Sequence, residues 1–187
     1  KDADFKRREG GVRMAMGMPS INVIFRELAK NIEDRTDNGI VALVLENTKA
    51  LDIKEYYPGD EIGEDIDEAA KTQINFALAG GREKPQKLVC AFCKKGYEDL
   101  EDVLIKLESI QFDYLAFGSK ITEKVETVTS WIKTMRENGK RVKAVLAGVE
   151  AGTEGIINYT TESVTVDEKT YTSDTFCSRI AGILAGT

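Results

Sequence analysis

The chain contains no histidine among its 187 residues. A Ser-His-Asp or Cys-His catalytic pair therefore cannot be assembled from this chain alone, nor can a zinc site that uses imidazole. Three cysteines are too few and too odd in number for a disulfide framework, and they read as reduced thiols of a cytosolic protein. Proline occurs three times and tryptophan once. No uninterrupted run of about 18 apolar residues is present, which excludes an apolar membrane-spanning helix. No basic-then-apolar leader is visible at the N-terminus. Excess positive charge is also missing. The net charge of −6, from 26 basic and 32 acidic residues, argues against a general nucleic-acid binder.

What is present is ordinary for a globular domain, with 42% apolar and 31% charged residues. The first thirteen residues stand apart. They carry net charge +2 and no apolar period, which predicts a disordered or loosely attached leader. Arg7-Arg8-Glu9-Gly10-Gly11 before Met14 has a further reading. Codons for Glu-Gly-Gly can spell a purine-rich ribosome-binding element about seven bases before a start codon. Met14 is then the natural start, and residues 1–13 are translated leader or scar rather than a genuine disordered arm.

From Ser20 the periodicities become informative. Ile21, Val23 and Phe25 alternate with Asn22, Ile24 and Arg26 as in a strand. Ile40 to Leu45 is a continuous apolar run, the mark of a strand buried on both faces. Lys54 to Asp65, acidic and broken by Pro58-Gly59, reads as a loop. Ile66, Ala70, Ile74, Ala77 and Leu78 form a helical stripe closed by Gly80-Gly81. Leu88 to Phe92, Tyr114 to Phe117 and Val142 to Ala147 read as buried strands. Between them lie helical stripes at Leu100, Val103, Leu104 and Leu107, and at Ile121, Val125, Val128, Ile132 and Met135. Strands alternating with helices predict parallel pairing by right-handed crossovers and a three-layer α/β sandwich with a mainly parallel sheet. Beyond Gly148, a short strand at 155–159 and a small β-hairpin at 163–171 precede a last helix. That helix is capped by Ser173 or Asp174 and carries Phe176, Ile180, Ile183 and Leu184.

The chemistry-bearing candidates are weak. Cys90-Ala-Phe-Cys93 has redox spacing, but a strand sends the two positions to opposite faces, so core thiols are expected. Gly148, Gly152 and Gly155 follow a strand without forming a dinucleotide-binding fingerprint, and no phosphate loop exists. Ser119, at the C-terminal end of a parallel strand, is expected to cap the following helix. Lys94 and Lys95 read as solvated charge. Asp65, Asp67, Glu68, Glu98, Asp99, Glu101 and Asp102 complement the dipoles of helix starts. Gly182 and Gly186 on the last helix allow close approach of another backbone. No catalytic residue, metal ligand or cofactor is expected. A ligand held near Gly118, Ser119 and Gly148 is the alternative function: a small cytosolic α/β binding protein or enzyme.

Five segments, in order, carry a family resemblance: Met14-Ala-Met-Gly-Met-Pro-Ser-Ile-Asn-Val, Asp37-Asn-Gly-Ile-Val-Ala-Leu-Val-Leu, Val142-Lys-Ala-Val-Leu, Glu154-Gly-Ile-Ile-Asn-Tyr-Thr-Thr-Glu and Ser178-Arg-Ile-Ala-Gly-Ile-Leu-Ala-Gly-Thr. Together they resemble the contractile tail sheath proteins of phages and phage-tail-like bacteriocins, in their compact form. The resemblance implies a non-enzymatic virion subunit with a subtilisin-like α/β core that lacks subtilisin's catalysis. It implies polymerisation around a tail tube, and contraction that drives the tube through the host envelope. The implied partners are other sheath subunits, the tube and the baseplate, with no nucleic acid and no membrane insertion. Assembly is expected in the host cytoplasm and residence in the virion tail. Residues 14–30 match an N-terminal assembly arm, whose Ile21, Val23, Ile24 and Phe25 are expected to add a strand to a neighbour's sheet. Residues 31–187 form the core, expected to lack the β-sandwich insertion of larger members and a following C-terminal domain.

Overall fold

A computed structural model describes residues 38–166 and 168–187. The strand expected at 21–26, with Ile21, Val23, Ile24 and Phe25, and the leader at 1–13 lie outside the described residues.

The apolar run after Gly39 becomes β1 (Ile40–Glu46), and Val41 to Leu45 are almost completely buried. Burial on both faces follows from its place at the centre of the sheet, parallel to β3 (Lys87–Cys93) on one side and β4 (Tyr114–Phe117) on the other. Next to β4 comes β5 (Lys143–Ala147), then β6 (Ile156–Tyr159), both parallel. On the far side of β3 lies β2 (Lys54–Tyr56), antiparallel. The order is thus β2-β3-β1-β4-β5-β6. The five parallel strands alone follow the doubly wound order in which the second strand lies outside the first and the rest lie on its other side.

Among the described residues four α-helices cover the sheet. One face holds α1 (Glu68–Ala79) and α4 (Ser173–Ala185), packed on Val41, Leu43, Leu45, Leu88 and Cys90. The other holds α2 (Leu100–Glu108) and α3 (Val125–Glu137), packed on Ala42, Val44, Val89, Leu115 and Leu146. The alternation of side chains along β1 sends odd positions to the first layer and even positions to the second. This is the three-layer α/β sandwich expected from the sequence. The hairpin is also present, as β7 (Ser163–Val166) and β8 (Lys169–Thr172). It is tied to the body by a chain of aromatic rings: Tyr171 sits 4.7 Å from Phe76, Phe76 sits 6.2 Å from Phe176, and Phe176 stacks at 6.1 Å on Tyr159.

Several local expectations need correction. Residues 54–56 are a strand rather than a loop. Three residues at a sheet edge are too short to show a period, and only Tyr56 turns inward. The turn that follows does use Pro58-Gly59: Asp60 N–H donates to the Tyr57 carbonyl, with Gly59 at φ 104°, a conformation that favours glycine. Ile66 and Ile121 are buried as expected but precede their helices. Ile66 closes a turn onto Gly63, and Ile121 leads into a 3₁₀ turn at Thr122–Lys124.

The last helix departs furthest. Its buried residues are Cys177, Ser178, Ala181, Gly182 and Ala185, whereas Phe176, Ile180, Ile183 and Leu184 are only half-buried. Its N-cap is Thr172, one residue before Ser173 and two before Asp174, the expected caps. The cause is proximity to α1: a Cβ at Gly182 would stand 2.9 Å from the carbonyl carbon of Ala77. Only small side chains permit that approach, so they face inward and the large ones flank the contact.

Candidate functional site

Parallel strands end together, and their C-terminal ends gather the polar groups of the domain. β1 delivers Glu46, the segment after β3 delivers Gly96 and Tyr97, and β4 delivers Gly118 and Ser119. Ser119 Oγ lies 2.7 Å from Glu46 Oε2 and 3.0 Å from the Tyr97 hydroxyl. The Ser119 N–H donates to that same hydroxyl at 3.1 Å, and Gly96 N–H donates to Glu46 Oε1. Tyr97 is 2% exposed, and its backbone sits at φ 54°, an uncommon value for a bulky residue. Burial pushes its phenol well above the ordinary tyrosine range, against the opposing effect of the Ser119 hydrogen bonds. The group is therefore a neutral tie between three loops.

Ser119 does not cap a helix as expected. The 3₁₀ turn at Thr122–Lys124 separates it from α3, and its hydroxyl turns to Glu46 instead. Behind it, Gln73 of α1 donates from Nε2 to the Gly118 carbonyl at 3.0 Å, and Ser178 of α4 donates to Gln73 Oε1. Gln73 is 4% exposed and Ser178 is fully buried. This link joins α1, α4 and the end of β4 through the core. Nothing in the local sequence signalled it, because its members are 105 residues apart.

A cavity of about 750 Å³ opens at the ends of β4 and β5, between the first turn of α3 and the 148–153 loop. Ser119, Lys120, Glu126, Gly148, Glu150 and Asp174 are among its lining residues. Two of the three residues proposed for a ligand site, Ser119 and Gly148, thus reach one cavity; Gly118 is instead held by Gln73. Ser119 donates to a carboxylate that also accepts the Gly96 N–H, an arrangement that braces loops.

The cysteines behave as core thiols. Cys90 belongs to the layer under α1 and α4, and Cys93 to the layer under α2 and α3, so the pair points to opposite faces as expected. Burial raises all three thiols, Cys93 and Cys177 to about 12 and Cys90 further, which leaves no thiolate near neutral pH. Lys94 and Lys95 are exposed. Of the acidic residues, Asp67 is the N-cap residue of α1, yet its carboxylate accepts from the N–H and hydroxyl of Thr48 at 2.8 and 2.7 Å. Asp99, at the N-cap of α2, accepts from Lys94 N–H at 2.7 Å. Among the described residues no group of three or more metal-ligating side chains comes together, and no helix is long and apolar enough to cross a membrane.

The described residues form an α/β sandwich whose strand ends are braced by the Glu46–Tyr97–Ser119 tie. Its family follows from comparison: residues 94–187 match the phage tail sheath protein central domain, and the chain belongs to that family. It is 34% identical over 178 residues to the tail sheath protein of Clostridium phage phiCD119, a match covering 91% of this chain and 49% of that protein. The chain therefore spans about half the length of this curated relative. The fold is also that of the sheath tail protein from Desulfitobacterium hafniense, with TM-score 0.68 at 16% identity over 80% of this chain and 59% of that one. The sheath tail protein from Listeria innocua gives TM-score 0.57 at 16% identity over 88% and 60%. The relatives are structural tail proteins rather than enzymes.

Proposed function

We propose that this chain is the core of a sheath subunit that polymerises around a phage tail tube and contracts to drive the tube through the host envelope. The observation that carries this reading is the 34% identity to a tail sheath protein over 178 residues. In this reading residues 14–30 are an assembly arm and residues 31–187 a subtilisin-like core that has lost catalysis, while residues 1–13 are leader or scar. Neighbouring subunits, the tube and the baseplate are the partners. The subunit assembles in the host cytoplasm and resides in the virion tail.

The arm is proposed to act by strand addition, through Ile21, Val23, Ile24 and Phe25. Two features support it. The segment alternates apolar and polar residues as an edge-pairing strand does. And β6 stands at the end of its sheet with one ladder partner among the described residues, so its outer backbone groups can receive a strand.

Removing residues 1–28 should reduce self-association while the α/β core stays folded. Sedimentation velocity together with thermal unfolding measures both. An unchanged oligomer distribution, or loss of the cooperative transition, would show that the segment is an ordinary core strand.

A further inference from the structure

The two ends of the sheet differ in a way the strand-addition reading does not use. β6 has one ladder partner among the described residues, whereas β2 is built against pairing: three residues long, two of them charged, followed at once by the Pro58 turn. Short, charged, proline-flanked edges resist strand addition. A partner at this end must then be recognised by side chains. Residues 52–68, which contain β2 and its connection to α1, carry eight acidic residues and one basic. Part of that charge is met internally, with Lys54 pairing to Asp65 at 2.5 Å and Glu55 to Lys87 at 2.7 Å. Asp52, Glu61 and Glu64 remain exposed.

The opposite sign gathers toward the other end of the sheet. Residues 133–143, from the close of α3 into β5, carry five basic residues and one acidic. Arg136 is engaged by Glu154 and Lys140 by the Glu108 carbonyl, while Lys133 meets Glu137 at 3.9 Å and Lys143 lies 5.8 Å over the Tyr114 ring; Lys133, Arg141 and Lys143 all keep exposed side chains. β5 lies four strands away from β2 in the sheet order, so one copy cannot bring the two segments together.

We infer that the acidic 52–68 edge of one copy docks on the basic 133–143 edge of a second copy, a head-to-tail contact. It rests on the self-assembly reading and names a surface that reading leaves unassigned. The two patches are different, so the contact is heterologous and propagates into a ring or an open helix rather than closing as a two-fold dimer. Complementary charge sets register and rejects the wrong edge more than it adds affinity.

The test is a charge exchange between copies. One variant carries Glu61→Lys with Glu64→Lys, and the other carries Lys133→Glu with Arg141→Glu. All four positions are exposed, and far-UV circular dichroism checks that both variants fold. In sedimentation at low salt, each variant alone should associate about tenfold more weakly than the unaltered chain. An equimolar mixture should recover association, because reversed edges then meet each other in alternating copies. Salt at roughly 0.5 M should weaken the unaltered chain as well, since it screens exposed charge. Association of the unaltered chain that ignores the reversals, or a mixture no better than either variant, overturns this contact while leaving strand addition through the arm standing. An unaltered chain that is monomeric at low salt overturns the contact and the self-assembly reading together.

Discussion

Val128→Asp should abolish the cooperative fold. Val128 is fully buried on α3, against the face of the sheet formed by Ala42, Val44, Leu115 and Leu146. The layer around it is apolar, so an aspartate there is either charged without a partner or protonated without its hydrogen bonds. Either state costs several kcal/mol, a large share of what a domain of this size has to lose. Val128→Ala separates charge from shape, because it leaves only a small cavity and should lower stability by about 2 kcal/mol with the transition intact. Ile105→Asp serves as the counterpart. Ile105 lies on the outer side of α2 at 63% exposure, and the change should fall within about 0.5 kcal/mol of neutral. Denaturant unfolding of the three proteins measures this. A soluble Val128→Asp protein with an unchanged midpoint would mean that the stripe does not face the sheet.

Gly182→Val should be nearly as damaging, for the opposite reason. Here space is missing rather than polarity misplaced. A Cβ at 182 meets the Ala77 carbonyl group, which is backbone of α1 and cannot rotate away. Valine gains helix propensity over glycine by a few tenths of a kcal/mol, but overpacking at a helix–helix contact costs about 3 kcal/mol. α1 and α4 would part, and with them the Ser178–Gln73–Gly118 link. For a domain of this length that corresponds to a fall in Tm of about 6–12 °C. Differential scanning calorimetry would read it directly, and a Tm equal to that of the unaltered protein would show that α4 can move aside at no cost.

The two variants mark what sequence reasoning can and cannot see. Val128 was visible because α3 buries one face against a flat sheet. That contact demands large apolar residues every three or four positions, and Val128, Ile132 and Met135 supply them. β1 was visible for a related reason: a strand covered on both sides has no polar alternation. α4 misled because it packs on a helix as well as on the sheet. Close approach reverses the usual preference, so Ser178, Ala181 and Gly182 go inside and Ile180 and Leu184 are pushed to the flank. Gly182 and Gly186 carried the signal for that approach, and the backbone they meet is that of Ala77 and of Glu83 in the same domain.

Polar placement was less legible still. Ser119 was assigned to a cap because it precedes a helical stripe, and a single 3₁₀ turn was enough to detach it. The tie among Glu46, Tyr97 and Ser119 spans three strand ends, and the Gln73–Ser178 contact joins residues 105 apart. Such pairs are created by strand order, and strand order follows from which edges meet rather than from any local period. The expected opposition of Cys90 and Cys93 held because it needed only the two-residue repeat of a strand. Function lay beyond the periodicities altogether. The residues excluded imidazole catalysis and phosphate loops, and it was the resemblance of dispersed segments, borne out by the family match, that pointed to a tail sheath.

Electron microscopy of the full-length product tests the sheath reading most directly. A sheath subunit at high concentration should form tubes or stacked rings of uniform diameter. Only monodisperse globular particles, with no tube or ring at any salt concentration, would contradict it.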